Sequence, residues 1–267
     1  MNNVFDIKRF GKYFAYDLRR AKNNYGISLL VMGLMPVAFF LIAQFINLIS
    51  GNGFSQMPEP VGFTAIFVTI VVVILGAGAK IYGSITEKRA GSDYLMLPAS
   101  TLEKWLSMVL IVCVVLPVVL FALLFVSDGA MSLLFPNTYG SRVLGLDFAR
   151  GFLDAFTGDN GFYFNLPAVL FLNWCESLLI FTLGAVCFKK SKVAKTILCL
   201  IALSILSAPL TLLIFGTTNI DGEWLTERLG NPDNIVSTIN WTLNIIYTVV
   251  IGGLLAGLYI RLRTLKH

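Results

Sequence analysis

The chain holds a single histidine, His267, its last residue. Chemistry that needs an imidazole base or a histidine metal ligand has nothing to draw on in the body of the sequence. There is no HExxH motif, no CxxC pair and no GxxxxGK[ST] phosphate loop. The glycine pairs Gly51-Asn-Gly53 and Gly76-Ala-Gly78 lack the third glycine and the strand-to-helix setting of that loop. No catalytic set and no metal site is expected, so any ATP would be bound by another chain. The four cysteines, Cys113, Cys175, Cys187 and Cys199, stand alone in apolar stretches, where cysteine behaves as a small hydrophobe. Charge is scarce as well: charged residues make up 13% of the chain. Soluble proteins carry about 25%, so the soluble globular class is excluded.

What fills the chain is apolar: 57% hydrophobic residues and a mean hydropathy of +0.79. A bilayer-spanning helix needs about 20 apolar residues at ~1.5 Å each. Six runs qualify: Gly26–Leu48, Val61–Ile81, Trp105–Ser127, Leu166–Phe188, Thr196–Phe215 and Ile239–Ile260. The expected fold is an all-α integral membrane protein. An amphipathic N-terminal segment (1–25) precedes a six-span domain (26–260) and a basic tail (261–267). Of the 20 Lys and Arg residues, only Arg142, Arg150 and Arg228 fall in the loops after spans one, three and five. By the positive-inside rule both termini are cytoplasmic, in a plasma (inner) membrane. The net charge of +5 thus reflects topology and gives no support to nucleic-acid binding.

Ile7, Phe10, Phe14 and Leu18 fall on one helical stripe, with Lys8, Lys12 and Arg19 opposite. That pattern suits a helix lying in the membrane interface against anionic lipid, or a plain anchor. The segment is too charged and aromatic for a cleaved signal peptide. Pro36, Pro117 and Pro209 sit near the middles of spans one, three and five and predict kinks. Gly253-Leu-Leu-Ala-Gly257 permits close helix contact, read as packing within the chain in preference to a dimer seam. In the loop after span three, Leu144, Phe148, Phe152 and Phe156 repeat every four residues, predicting a second interfacial helix.

Glu176 is the ionisable residue near the centre of a span, with Asn173 one turn earlier. A charge there costs on the order of 2.5–3.5 kcal/mol. Two readings stand: a substrate-path residue facing the bundle interior, or a protonated acid hydrogen-bonded to a neighbouring helix.

The strongest local signal lies between spans two and three. Glu87-Lys88-Arg89-Ala90-Gly91-Ser92 is followed by an amphipathic Tyr94-Leu95-Met96-Leu97 and by Pro98. Ser100 and Glu103 then form an S-x-x-E capping box that starts the next helix. A short helix, a corner and a fresh helix should result.

This loop resembles that of type-2 ABC exporter permeases, and the six spans and amphipathic N-terminus are similar in layout. The resemblance implies that the loop is a coupling helix gripped by a cytoplasmic ABC ATPase subunit. Glu87, Arg89, Gly91, Tyr94, Leu95, Leu97 and Pro98 would be its contact residues. It also implies pairing with a second permease, as a homodimer or heterodimer, and export of a substrate driven by ATP on the partner. The alternative is a six-span protein of an immunity or sensory system that binds a cytoplasmic partner without transporting.

Overall fold

The computed structural model describes residues 5–51, 53–87, 91, 94, 96–140, 142–145, 166–217 and 232–265. Among these, every regular element is helical. The first helix, α1 (Ile7–Gly33), starts on Asp6, whose carboxylate accepts from the backbone N–H groups of Lys8 and Arg9. That satisfies donors the first helical turn leaves open. Helix α2 (Met35–Ile49) follows after a break at Leu34, with Pro36 in its first turn. Helix α1 runs through Tyr25 and Gly26 uninterrupted and breaks at Leu34 instead. The physical reason is that Gly26 only weakens a helix, whereas Pro36 removes a donor and clashes with the preceding turn.

Helix α3 (Glu59–Tyr82) ends in a 3₁₀ turn, Gly83–Thr86. Helix α4 (Thr101–Leu110) passes through a π turn, Ile111–Val115, into α5 (Leu116–Leu134). The Leu116 N–H reaches back five residues to the Ile111 carbonyl. Pro117 explains the wide turn: its ring would collide with the carbonyl four residues earlier, and one inserted residue relieves the clash. The remaining helices are α6 (Leu166–Cys187), α7 (Lys192–Thr217, containing Pro209) and α8 (Pro232–Thr264). Among the described residues, five stretches are long and apolar enough to cross a membrane: 7–49, 60–86, 101–134, 192–209 and 240–264. Helix α6, at 22 residues, is a sixth long apolar helix.

Helix α6 sits between α3 and α8, and α1 packs across α3, α4 and α5. Small residues set the spacing. A Cβ added at Gly78 on α3 would lie 2.8 Å from the Thr182 Cα on α6. At Gly184 on α6 an added Cβ would strike the Thr196 hydroxyl of α7. Backbones can approach this closely only without a side chain between them. The Gly253–Gly257 pattern packs within the chain at one of its two glycines. Gly257 faces Leu183, but an added Cβ at Gly252 or Gly253 would meet nothing within 4 Å. The main core runs from Tyr25 and Leu29 through Val73, Met108, Leu120 and Leu178 to Leu258. Exposed leucines, isoleucines and phenylalanines cover the outer faces of α2, α5, α7 and α8. Of the predicted second interfacial helix only Leu144 is described; Phe148, Phe152 and Phe156 lie outside the described residues.

Candidate functional site

The loop after α3 is anchored from three sides. Its first anchor is the helix start: the Glu103 N–H donates to the Ser100 hydroxyl (3.2 Å), and the Ser100 N–H donates to Glu103 Oε2 (2.9 Å). This is the capping box read from the sequence, and it is complete. Glu103 does more than cap. Arg9 on α1 donates from Nε to both carboxylate oxygens (3.0 and 2.9 Å) and from Nη2 to Oε1 (2.7 Å). The Asp6 N–H adds a fourth contact at 3.0 Å. The Glu103 side chain is fully buried beneath the half-exposed Arg9. A forked guanidinium on a carboxylate fixes orientation as well as distance.

The second anchor is Tyr94. It is 2% exposed, so it faces the interior of the chain. Tyr94, which the resemblance counts among the partner-contact residues, is turned inward in this chain. Lys104 donates to the Tyr94 carbonyl at 2.8 Å, and its ammonium stands 5.0 Å from the ring centroid. The Arg20 guanidinium carbon stands 5.7 Å from the same ring. Two cations near one aromatic ring form cation–π contacts. Burial pushes the Tyr94 phenol above its ordinary range, so it stays neutral. The physical reason for the inward turn is α1, which lies close by and offers Arg20 to the ring. Nothing in the local sequence announces that neighbour.

The third anchor is a buried acid that sequence reasoning missed. Asp17 on α1 is 1% exposed and accepts from the Ser107 hydroxyl of α4 (2.7 Å) and the Tyr82 hydroxyl of α3 (3.1 Å). Three helices thus meet on one carboxylate. Arg20 donates to the Ser84 hydroxyl at 2.9 Å, and Lys192 donates to the Gly83 carbonyl, so the 3₁₀ turn is held from both sides. The available signal was the buried series Tyr13, Asp17, Ala21, Tyr25, Leu29 and Gly33, spaced strictly by four. The apolar stripe Ile7, Phe10, Phe14 and Leu18 runs beside it, with Ile7 and Leu18 exposed.

The remaining loop residues divide by exposure. Glu87 is exposed at the end of the 3₁₀ turn, and its carbonyl accepts from the Gly91 N–H at 2.8 Å. Gly91, Tyr94 and Met96 are helical positions, with Gly91 buried. Met96 is 73% exposed, Leu97 is half-buried against the core, and Pro98 is exposed. Arg89 and Leu95 lie outside the described residues.

Glu176 and Asn173 sit elsewhere, on α6 where it meets α8. The Asn173 amide donates to the Tyr247 hydroxyl at 3.3 Å. Glu176 is half-buried and has no hydrogen bond or ion pair among the described residues. At the opposite end of α5, Asp128 accepts from the Tyr139 hydroxyl (2.6 Å) and from the N–H groups of Val143 (3.3 Å) and Leu144 (3.0 Å). This further buried acid organises a loop. Among the described residues no cluster of three metal-ligating side chains occurs.

The described residues form helices alone, five to six of them long and apolar as in a membrane protein. No protein-family model, no curated protein and no solved structure matches the chain.

Proposed function

We propose that this chain is the membrane-spanning permease subunit of an ATP-driven exporter of the type-2 ABC class, docking a cytoplasmic ATPase through the loop Glu87–Ser100. The observation that carries the reading is the anchoring of that loop. Tyr94 is clamped by Lys104 and Arg20, Glu103 is forked by Arg9, and Asp17 joins α1, α3 and α4. With Tyr94 and the helix start at Ser100 so tied, a push on the loop passes into α1, α3 and α4. That is the mechanical requirement for coupling ATP closure on a partner to helix movement.

The surface offered to the partner is Met96, the edge of Leu97, Pro98 and the exposed Glu87. Methionine suits such a contact because its flexible thioether adapts to a groove. In this reading the loop and both termini are cytoplasmic, the membrane is the plasma (inner) membrane, and the working unit contains a second permease. ATP is bound by the partner. The test is affinity purification of the chain from its native membrane, followed by photolabelling with 8-azido-ATP. A labelled polypeptide distinct from this chain and retained through washing supports the proposal. Labelling of this chain alone, or of nothing, refutes it.

A further inference from the structure

Three ammonium groups gather at the short turn between α6 and α7. Lys189 and Lys190 are exposed on the turn itself, and neither makes an ion pair among the described residues. Lys195, exposed in the first turn of α7, stands 6.0 Å from the centroid of the Phe188 ring and is held beside that turn. Two further cations at this end are already committed. Lys192 donates to the Gly83 carbonyl, and Arg261 donates to the Val186 carbonyl at 3.3 Å. No Asp or Glu occurs from 177 to 220 or from 234 to 267. Glu87, on the neighbouring 3₁₀ turn, attracts Lys192. The exposed trio therefore lacks counter-charge among the described residues.

An apolar wall begins one turn further along α7. Thr196 is buried against Gly184 of α6, and from Leu198 to Pro209 every residue is exposed, on all sides of the helix. That stretch rises about 18 Å, comparable with half of a ~30 Å bilayer core. The cations thus stand at the mouth of an apolar surface as long as one leaflet. A soluble acidic protein would cover the lysines and leave the wall bare. A second copy in the same orientation would cover the wall and bring its own lysines to the same level. An anionic phospholipid covers both, with its phosphate on the ammonium groups and its acyl chains along α7.

We propose that the α6–α7 turn and the adjoining face of α7 hold an anionic phospholipid, as a resident lipid and not as cargo. The inference is independent of the transporter reading. Dioctanoyl phosphatidylglycerol is the probe, and phosphatidylcholine with the same chains is the zwitterionic comparison. Each is titrated against the purified chain in maltoside detergent, and bound lipid is counted by native mass spectrometry. Phosphatidylglycerol should bind saturably and phosphatidylcholine should not. The combined variant Lys189→Gln, Lys190→Gln, Lys195→Gln should weaken binding at least about tenfold, since each basic residue beside an anionic lipid adds to its affinity. Lys8→Gln with Lys12→Gln, which removes exposed charge from α1, should cost less. Glycerol 3-phosphate, the same headgroup chemistry without chains, should not displace the lipid. Acetylation of wild-type lysines by a water-soluble succinimidyl ester, mapped by mass spectrometry, gives a readout that needs no variant. Phosphatidylglycerol should protect Lys189, Lys190 and Lys195 more than Lys8 and Lys12. Equal binding of both lipids, an unchanged affinity in the turn variant, as large a loss in the α1 variant, displacement by glycerol 3-phosphate or no protection of the turn would overturn the assignment. A dimer whose turn lysines are protected before lipid is added would give the surface to a second copy and overturn it as well.

Discussion

Gly76 and Gly78 lie two residues apart on α3 and make opposite predictions for the same substitution. Replacing either by alanine removes backbone freedom and favours helix by about 1 kcal/mol. An added Cβ at Gly76 meets only the Tyr25 hydroxyl at 3.9 Å, an ordinary contact. At Gly78 it meets the Thr182 Cα at 2.8 Å and the Thr182 backbone nitrogen at 2.9 Å. Unstrained carbon contacts sit at about 3.5–4.0 Å, so α3 and α6 must separate by roughly the difference. Backbone atoms cannot rotate away as a side chain could. Overpacking of this kind costs about 1–3 kcal/mol. Both variants share the propensity gain, so their difference isolates the clash. At ~2–4 °C per kcal/mol for a chain of this size, Gly78→Ala should melt about 2–12 °C below Gly76→Ala. Thermal unfolding of the purified proteins in detergent, followed by tryptophan fluorescence, measures it. If the two variants melt together, or Gly78→Ala melts higher, the α3–α6 contact is wrong.

The anchors and the topology yield further tests. Asp128→Leu strands the Tyr139 hydroxyl and two backbone donors. Each unsatisfied buried group costs about 1–3 kcal/mol, so limited proteolysis should open the segment around Tyr139–Leu144 while Tyr139→Phe stays resistant. Arg9→Ala and Glu103→Ala should be strongly non-additive in melting temperature, because either one alone destroys the same forked contact. Additive losses would remove the first anchor. Single cysteines in a background lacking the four native ones should label from outside cells at Ser55 and stay unreactive at Ser92 and Ser191. Labelling at Ser92 would reverse the proposed orientation.

Much of the architecture was legible because lipid demands long apolar runs. The predicted Val61–Ile81 and Leu166–Phe188 correspond to α3 (Glu59–Tyr82) and α6 (Leu166–Cys187). The capping box was legible because both partners lie within four residues. What stayed hidden depends on partners distant in the chain. Glu103 reads as a cap, and nothing nearby shows that Arg9, 94 residues earlier, forks it. Asp17 sits among exposed lysines and arginines and reads as solvated, although Ser107 and Tyr82 close over it. Amphipathic spacing marks Tyr94 as belonging to a face, but it cannot say which face is inward. Packing of α1 decides that, and among the described residues Met96 faces outward. Similarly, Asn240, Asn244 and Tyr247 are ordinary singly. Only the approach of α6 brings the Asn173 amide to the Tyr247 hydroxyl.

The proposed coupling role is tested most directly at Met96. A buried anchor at a protein interface is worth ~2 kcal/mol or more, roughly thirtyfold in affinity, and an aspartate there would also bury an unpaired charge. Met96 is exposed, so Met96→Asp should leave the melting temperature of the isolated chain unchanged. Wild-type and Met96→Asp chains are purified side by side from native membranes, and vanadate-sensitive ATP turnover of the co-purified material is measured. Turnover present with wild type and lost with Met96→Asp at unchanged melting temperature is the predicted result. Equal turnover in both preparations, or none in either, would contradict it.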